Sequence, residues 1–464
     1  SNKNKGEALL IANDYRRFNY TPYAYRTKDY GASWSRIVDE NDVKSYTLSI
    51  VEDPINANLL FLGTDDGLYI SLDAGEKWMK WTAGFPTVST KDLVIQPREH
   101  DLVIGTFGRA AWVLDDIRPL RALANGNVLN KKLQLFTPPT AYQAAYQQPT
   151  GSRFGGDALF NGENKKSGAM ISYYINRIHT TEEKKVENDT KSKKKRKRTK
   201  KTANPETLKE IVSAVKYDSI KLEIFEGSRL IRTLKQKAPK ENGIHRIYWY
   251  MNEKGADRPS RKIRKRNFES GGVSVKPGIY NLKMHFGDQT SESTIKVEFD
   301  PRLEMSSEAI TEIYNTSKDL EKDQQLMADI VKQLVESKQT ATKFKKDLTK
   351  EDKKKYKDQI KLSKEIITKI DKHIAAFLGK IDKRQGITRN PEVTVNRRYF
   401  SARRYVGSRF GHLTSTEERL ISQFKKVFND AVKKTNSFFE TDWKTYKTTL
   451  ETIRISPFKE IQKF

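Results

Sequence analysis

The sequence predicts a multidomain protein of the β plus α class. Terminal blades of a β-propeller come first, then an antiparallel β-sandwich, then an antiparallel helical bundle. Three observations support this order. A motif with Asp, Gly and Trp at fixed offsets occurs twice near the beginning, 44 positions apart. Short alternating strands with frequent turn signals follow. Beyond residue 304 the apolar residues recur at helical spacing instead.

Length and composition set the outer limits of the prediction. With 464 residues the chain has room for about three domains of ~150 residues. It is 36% hydrophobic and 31% charged, and it contains no apolar run of about 18 residues that could span a bilayer. The formal charge of +28 favours acidic partners, although a solvated lysine surface explains it more simply. The chain has no cysteine, and its six histidines form no ligand motif, so neither a metal nor a cofactor is expected.

The chain begins Ser1-Asn2-Lys3, without Met and without the apolar core of a signal peptide. We therefore expect this end to be processed, nicked or truncated. The compartment in which the protein works is not encoded in this stretch.

The repeat is clearest at 58–78, which reads NLLFLGTDDGLYISLDAGEKW. An apolar run predicts a buried strand, Asp65-Asp66-Gly67 predicts a hairpin turn, and a return strand follows. Part of the strand pattern returns at 102–106, LVIGT. A period of about 40–45 residues with four short strands per unit is typical of propeller blades.

The return strand leads into the pattern S-x-D-x-G-x-x-W, which also occurs at 27–34 with Thr in the first position. It resembles the Asp-box of bacterial neuraminidase-type (BNR) repeats, found in sialidases, sortilins and related β-propellers. In such a turn Asp accepts backbone hydrogen bonds, Gly allows the turn, and Trp packs between sheets. We therefore expect a structural role, and no catalytic one, for Asp29, Gly31, Trp34, Asp73, Gly75 and Trp78.

The segment 105–117, GTFGRAAWVLDDI, lacks this motif. It resembles the closing blade of large sortilin-like BNR propellers, labelled "glycosyl hydrolase", in secreted bacterial proteins. The resemblance implies that residues 1–120 are the last blades of such a propeller. Because three blades cannot close a ring, the remaining blades are expected upstream in the parent polypeptide or in a separate nicked chain.

Residues 121–168 are predicted to be a linker that wraps the surface, and residues 169–304 a β-sandwich. The sandwich resembles the Ig-like domain that follows propellers in bacterial secreted proteins. A basic insertion at 177–216 is expected to be disordered, because its charges repel one another. Possible anion contacts there are Lys193, Lys194, Lys195 and Arg196. Anionic lipid, polysaccharide, nucleic acid and a plain extended hairpin all remain open, with nucleic acid the least favoured.

Residues 305–464 are predicted to form a helical bundle, with helices at about 306–347, 352–382, 415–436 and 438–453. Ser306 or Ser307 is the expected N-cap of the first helix, and Ser415 to Glu418 is predicted to be the capping box of the third. Polar residues within the apolar stripes, such as Gln324 and Ser363, favour a bundle over a coiled-coil dimer.

A segment that joins the two predicted helix pairs, 397–405, alternates arginines with aromatic residues. Such a pattern can stack on bases or sugars and pair with phosphates. The simpler alternative is a crossover that docks its aromatic side chains on the bundle and leaves the arginines in solvent. The possible ligand contacts are Arg397, Arg398, Arg403 and Arg404.

Three functions remain open. The preferred one is a non-catalytic binding or scaffold protein, which uses a sortilin-like propeller to hold protein, peptide or glycan. The resemblance implies a secreted, periplasmic or outer-membrane-associated bacterial protein, with an envelope complex or a glycan as partner. The second is a glycoside hydrolase with its carboxylates in blades outside this chain, since the doublets at 65–66 and 115–116 do not complete a site. The third is a binder of anionic polymers.

Overall fold

The computed structural model describes residues 1–144, 165–177, 217–263, 268–381 and 393–453. The chain divides into two compact units. The first comprises residues 1–230, 234–249 and 279–297, and the second comprises 231–233, 250–278 and 298–464. The predicted mixture of β and α structure with several sheets is confirmed. The predicted basic insertion lies almost wholly outside the described residues, and so do Lys193, Lys194, Lys195 and Arg196.

The first part of the first unit consists of three antiparallel sheets. Their orders are β1-β2-β3, β4-β5-β6-β7 and β8-β9-β10. The strands are β1 (Ala8–Asp14), β2 (Asn19–Thr27), β3 (Ser35–Arg36), β4 (Thr47–Glu52), β5 (Leu60–Thr64), β6 (Gly67–Ser71), β7 (Met79–Lys80), β8 (Thr90–Gln96), β9 (Asp101–Thr106) and β10 (Ala111–Leu114).

The second of these sheets is covered on both faces, which explains why the sequence of β5 is apolar without alternation. Leu60 and Leu62 pack with Ala24 and Val38 of the first sheet and the segment after it. The intervening Phe61 packs in a separate cluster with the third sheet. All five residues of β5 and all five of β6 are buried.

The rest of the first unit holds a short helix, α1 (Arg118–Ala124), and two further antiparallel sheets. Their orders are β11-β13-β16 and β12-β20-β19-β14-β15. The two sheets touch where the Trp249 and Tyr280 rings meet at 5.4 Å between centroids. The strands are β11 (Leu133–Leu135), β12 (Ala141–Gln143), β13 (Ala169–Ile175), β14 (Ser219–Glu226), β15 (Arg229–Lys237), β16 (Gly243–Trp249), β19 (Gly278–Phe286) and β20 (Gln289–Phe299).

The predicted linker 121–168 is therefore wrong over its described first part. Helix α1 begins at residue 118, where a proline stands in the first turn and needs no hydrogen-bond partner for its nitrogen. Its apolar residues join the same cluster as Phe61, so the helix closes a core. Strands β11 and β12 each add to a sheet. Three-residue strands give too little alternation to be recognised in the sequence.

The second unit contains a two-stranded sheet, β17 (Asn252–Lys254) with β18 (Gly271–Ser274), and a set of helices. The helices are α2 (Ser307–Asp352), α3 (Lys357–Leu378), α4 (Val395–Gly407), α5 (Ser415–Phe438) and α6 (Lys444–Glu451). A single π-helical turn, Phe439–Trp443, joins the last two. The segment predicted as 438–453 is thus a continuation of α5. Helix α4 was not predicted as a helix.

The helix starts show which caps are used. The Ser306 hydroxyl accepts a hydrogen bond from the Ala309 N–H at 3.2 Å and caps α2. Helix α5 begins one residue earlier than the predicted capping box: Thr414 is the N-cap, and Glu417 accepts from its N–H at 2.9 Å. The prediction that Ser415 opens the box is wrong, because Glu417 is the carboxylate at the third helical position.

Gln324 and Ser363, two polar residues within the apolar stripes, are buried and form hydrogen bonds. The Gln324 amide donates to the carbonyl oxygens of Ala256 and Asp257, both at 3.0 Å, and its oxygen accepts from the Tyr399 hydroxyl at 2.6 Å. Ser363 shares a 3.0 Å hydrogen bond with the Tyr446 hydroxyl. These contacts fix one packing arrangement, since a shifted helix would leave buried polar atoms unpaired.

Neither a membrane-spanning helix nor a cluster of metal-ligating side chains occurs among the described residues. No helix there is both long enough and apolar enough to cross a membrane. No three His, Cys, Asp or Glu side chains come together there in a way that could hold a metal ion.

Candidate functional site

The two stretches 27–34 and 71–78, called here the aspartate turns, have matching geometry. In the first, Thr27 Oγ1 donates to Asp29 Oδ1 at 2.8 Å and accepts from the Gly31 N–H at 2.9 Å. In the second, Ser71 makes the corresponding hydrogen bonds at 2.8 Å each. Each Asp also accepts from the N–H four residues later, at 2.8 Å in the first turn and 2.9 Å in the second.

The backbone of the two turns matches as well. Tyr30 and Ala74 have φ angles of 60° and 62°, and the glycines that follow have 90° and 95°. Glycine is the residue that adopts such angles without strain. Hydrogen bonds from the Ser33 hydroxyl and N–H, and from Thr27, lower the pKa of Asp29 to about 2. In each turn the carboxylate therefore accepts hydrogen bonds from its own turn, as a structural role requires.

The two tryptophans that end these turns differ in their surroundings. Trp78 is 5% exposed, and its indole N–H donates to the Ile37 carbonyl at 2.7 Å. Its backbone N–H donates to Asp42 at 3.1 Å. Trp34 is 43% exposed. The difference follows from position, because Trp78 lies against the segment that follows the first sheet.

At the opposite end of β2 from the first aspartate turn, aromatic side chains gather at the strand connections. We call Tyr15, Phe18, Tyr20 and Tyr46 the aromatic rim. The Tyr15 and Tyr46 rings stack at 4.8 Å between centroids, and Tyr20 lies 6.0 Å from Tyr46 in a tilted arrangement. Tyr15 lies in the connection between β1 and β2, whereas Tyr46 directly precedes β4, so the rim joins the first and second sheets.

Phe18 is the most exposed member of the rim. Its side chain is 84% exposed, and its backbone is left-handed with φ 63°. A bulky residue rarely adopts this conformation, and such outliers concentrate at functional sites. The residue closes a single 3₁₀ turn through its N–H, which donates to the Tyr15 carbonyl at 3.0 Å. The fold thus holds a phenyl ring out in solvent.

Charged groups stand beside the rings. Burial, together with a hydrogen bond to Asp65, raises the pKa of Tyr46 to about 12, so this hydroxyl stays protonated. The Arg16 guanidinium lies 6.0 Å from the Tyr15 ring centre. Asp66 accepts from Tyr69 at 3.2 Å and pairs with Lys80 at 2.8 Å. The rim therefore places a few polar groups beside apolar ring faces.

A separate cleft of about 390 Å³ lies between the first sheet and the second aspartate turn. Arg26 and Glu52 form a buried ion pair at 3.4 Å near it. Side chains of both charges line this cleft, among them Arg26, Lys28, Arg36, Asp39, Asp42 and Glu76.

The acidic doublets form no pair of free carboxylates. Asp65 accepts from Tyr46, and Asp66 is held by Tyr69 and Lys80. Asp116 is 2.6 Å from Arg118 and buried. Two carboxylates must face one glycosidic bond for hydrolysis, and the described part of the chain shows no such pair at these positions.

The arginines predicted as ligand contacts lie on α4. The Thr394 hydroxyl caps this helix by accepting from the Arg397 N–H at 3.2 Å. Arg397 and Arg398 line a groove of about 210 Å³, and Arg398 donates to Gln423 at 2.8 Å. Arg403 is half-buried, and Arg404 is exposed. The structure thus brings two of the four together. Tyr399 is buried in the core, whereas Phe400 and Tyr405 are accessible. Ligand contact by the four arginines stays a prediction.

The aromatic rim was not predicted from the sequence. The available signal was the spacing of Tyr15, Phe18 and Tyr20 around a strand connection, where aromatic residues are unusual. Tyr46 joins them only through the packing of two sheets.

Comparison with known proteins gives little more. No known protein family matches the sequence, and no curated protein matches it. One solved structure that resembles part of the chain is that of an ancestral GH74 enzyme, with 14% sequence identity and a TM-score of 0.16. The match covers 34% of this chain and 21% of that one. A likeness this slight assigns neither a fold nor a function.

Proposed function

We propose that this protein is a non-catalytic binding protein whose aromatic rim holds a glycan chain. The observation that carries the proposal is the exposed, left-handed Phe18, whose N–H donates to the Tyr15 carbonyl, together with Tyr46, whose ring packs against Tyr15 and Tyr20. Aromatic side chains have only two rotatable side-chain bonds, so they lose little conformational entropy when a ligand covers them. A sugar ring has apolar C–H faces and a polar edge, which match ring faces next to Asp65 and Arg16.

We propose no catalytic activity, because the carboxylates described above are engaged by neighbouring side chains. Those nearest the rim accept hydrogen bonds from tyrosine hydroxyls, and one also pairs with a lysine. A general acid for glycoside hydrolysis needs a raised pKa and a partner across the bond. We therefore favour binding over hydrolysis.

We further propose that the three sheets are blades of a BNR propeller, followed by an Ig-like domain, and that the setting is the bacterial envelope or exterior. Two observations support the blades: the matching aspartate turns and the antiparallel sheets stacked face to face. The proposed setting rests on the sequence resemblance alone.

The test is affinity electrophoresis of the full chain in native gels that contain hydroxyethylcellulose, laminarin or glycol chitin. We expect at least one polymer to retard the protein, and Phe18→Ala and Tyr20→Ala to abolish most of the retardation. Tyr30→Ala is the matched control, because Tyr30 is 82% exposed with φ 60°, and the second aspartate turn carries Ala at the same position.

Failure of all three gels to retard the protein would contradict glycan binding at the rim. Equal loss in the Phe18 and Tyr30 variants would contradict the rim as the site. Release of reducing ends from a retarding polymer would show that the protein is an enzyme after all.

A second candidate is binding of an anionic polymer through α4. The helix has 13 residues, four of them Arg and none acidic, and two of the arginines share a groove. This surface belongs to the second unit and is independent of the rim.

A further inference from the structure

One face of the first sheet corresponds, by strand register, to a face of the second sheet that packs against a neighbouring sheet. Leu10 pairs with Tyr25 in the first sheet as Leu62 pairs with Tyr69 in the second. Tyr25 lies 44 positions before Tyr69, the same interval that separates the two aspartate turns. The face around Leu10, Tyr25 and Trp34, called here the open face, is therefore the equivalent of the second sheet's face around Leu62.

The second sheet's version of this face is completely covered. Leu62, Tyr69 and Trp78 pack in one cluster with Val38 and other side chains of the first sheet and its following segment. On the open face, in contrast, Leu10 is 45% exposed. Within the described residues, no acceptor takes the place that the Ile37 carbonyl has beside the Trp78 indole.

The same sheet also lacks a strand. In the second and third sheets an inner strand, β4 or β8, pairs with the strand equivalent to β1. In the described part of the chain β1 is an edge strand and pairs only with β2. An unpaired edge beside an uncovered apolar face is a template for another strand and sheet.

Within the described residues, the outer face of the third sheet is also exposed. Val113 of the third sheet pairs with Val103 as Ile70 pairs with Phe61 in the second sheet. Ile70 is buried, whereas Val113 and the neighbouring Val94 are exposed. Further sheets can pack on both exposed ends of such a stack. In β-propellers about four to eight sheets stacked in this way close into a ring.

We infer that the open face and the free edge of β1 are occupied by further sheets of the same repeat, which lie outside these 464 residues. The occupant supplies a strand antiparallel to β1, and its following segment supplies a carbonyl oxygen to the Trp34 indole. A second copy of this chain does not fit as well, because each copy lacks the inner strand that β1 needs.

This inference does not depend on glycan binding, and the chain contains no cysteine to interfere with its test. A single thiol is introduced by Leu10→Cys, and its rate of reaction with a maleimide is measured. Leu129→Cys is the matched control, since Leu129 is also 45% exposed and its carbonyl oxygen accepts from the Tyr174 hydroxyl and the Asn176 amide, outside the first sheet. Each cysteine substitution is then made in a second, extended chain. In that chain a copy of residues 38–101 replaces residues 1–7. The copy supplies one complete sheet and, through its β8, the missing strand.

We expect the Leu10→Cys thiol to react quickly in the original chain, and at least about tenfold more slowly in the extended chain, where reaction requires local opening. The Leu129→Cys thiol should react at the same rate in both. An unchanged Leu10→Cys rate in a folded extended chain overturns the inference. A dimer of the original chain in which Leu10→Cys becomes protected also overturns it, because the occupant would then be a second copy.

If the long extension prevents folding, the Leu129→Cys thiol will react as fast as in urea. A shorter extension, residues 90–101 in place of residues 1–7, then supplies only the missing strand. Slower amide hydrogen exchange along β1 is expected, and unchanged exchange in that folded variant contradicts the inference.

Discussion

At the scale of single residues, buried hydrogen bonds between polar side chains connect the helices of the second unit. Tyr399 is the clearest case. Burial raises its pKa to about 12, and its hydroxyl donates to Gln324 at 2.6 Å. Gln324 in turn holds two backbone carbonyls of a loop. One hydroxyl therefore completes a network that connects α4, α2 and the loop.

Removing that hydroxyl leaves a buried acceptor without its partner. We expect Tyr399→Phe to lower the free energy of unfolding of this unit by about 1–3 kcal/mol. Chemical denaturation followed by far-ultraviolet circular dichroism measures the change. Tyr405→Phe on the same helix is the control, and its exposed hydroxyl should contribute less than about 0.5 kcal/mol. Equal effects of the two variants would show that the network is not stabilising.

At the scale of elements, the sequence predicted strands and helices where the spacing of apolar residues matched the faces that are buried. The run around Leu60 predicted a buried strand because both faces of β5 are covered. Helix α4 was missed, although Val395, Tyr399, Ala402 and Val406 do lie on its buried side. Four arginines over 13 residues concealed that stripe, and short strands such as β11 offer too few residues to show a period.

The start of α5 gives a test at this scale. We expect Thr414→Ala to cost about 0.5–2 kcal/mol, because the N-cap side chain is lost. Ser415→Ala should change little, since Ser415 is exposed and does not cap the helix. Thermal unfolding of both variants measures the difference. A larger effect at Ser415 would place the cap where the sequence alone had predicted it.

Acid should weaken the same helix start. Hydrogen bonds from the Thr414 hydroxyl and N–H hold the pKa of Glu417 below its usual value. A carboxylate with a lowered pKa in the folded state stabilises it above the unfolded pKa, and this contribution is lost as the pH falls through the lowered value. Glu417→Gln should therefore make this part of the unfolding less dependent on pH.

At the scale of the whole molecule, the net charge of +28 favours association with polyanions on electrostatic grounds. The charge alone does not say which surface binds. The aromatic rim illustrates a related limit, because Tyr46 is 26 residues from Tyr20 in the chain and reaches it only when two sheets pack. Sites assembled from separate sheets cannot be found from local patterns.

Heparin chromatography separates a specific basic surface from net charge. We expect the variant Arg397→Ala with Arg398→Ala to elute at clearly lower salt than the variant Arg17→Ala with Arg98→Ala. Both have the same net charge, and Arg17 and Arg98 are exposed on the first unit. Elution of the two variants at the same salt concentration would mean that general charge, screened over about 10 Å, explains retention.

The double coverage of β5 and β6 has a consequence for sequence divergence. A strand with one solvent-exposed face tolerates substitution at every second residue. In β5 and β6, by contrast, every residue is buried against packed neighbours. A scan of all single substitutions should show β5 and β6 as continuous intolerant blocks. Strand β1 should instead show an alternating profile while its outer positions remain uncovered. Where homologous chains carry the sheet that covers it, β1 should drift as slowly as β5.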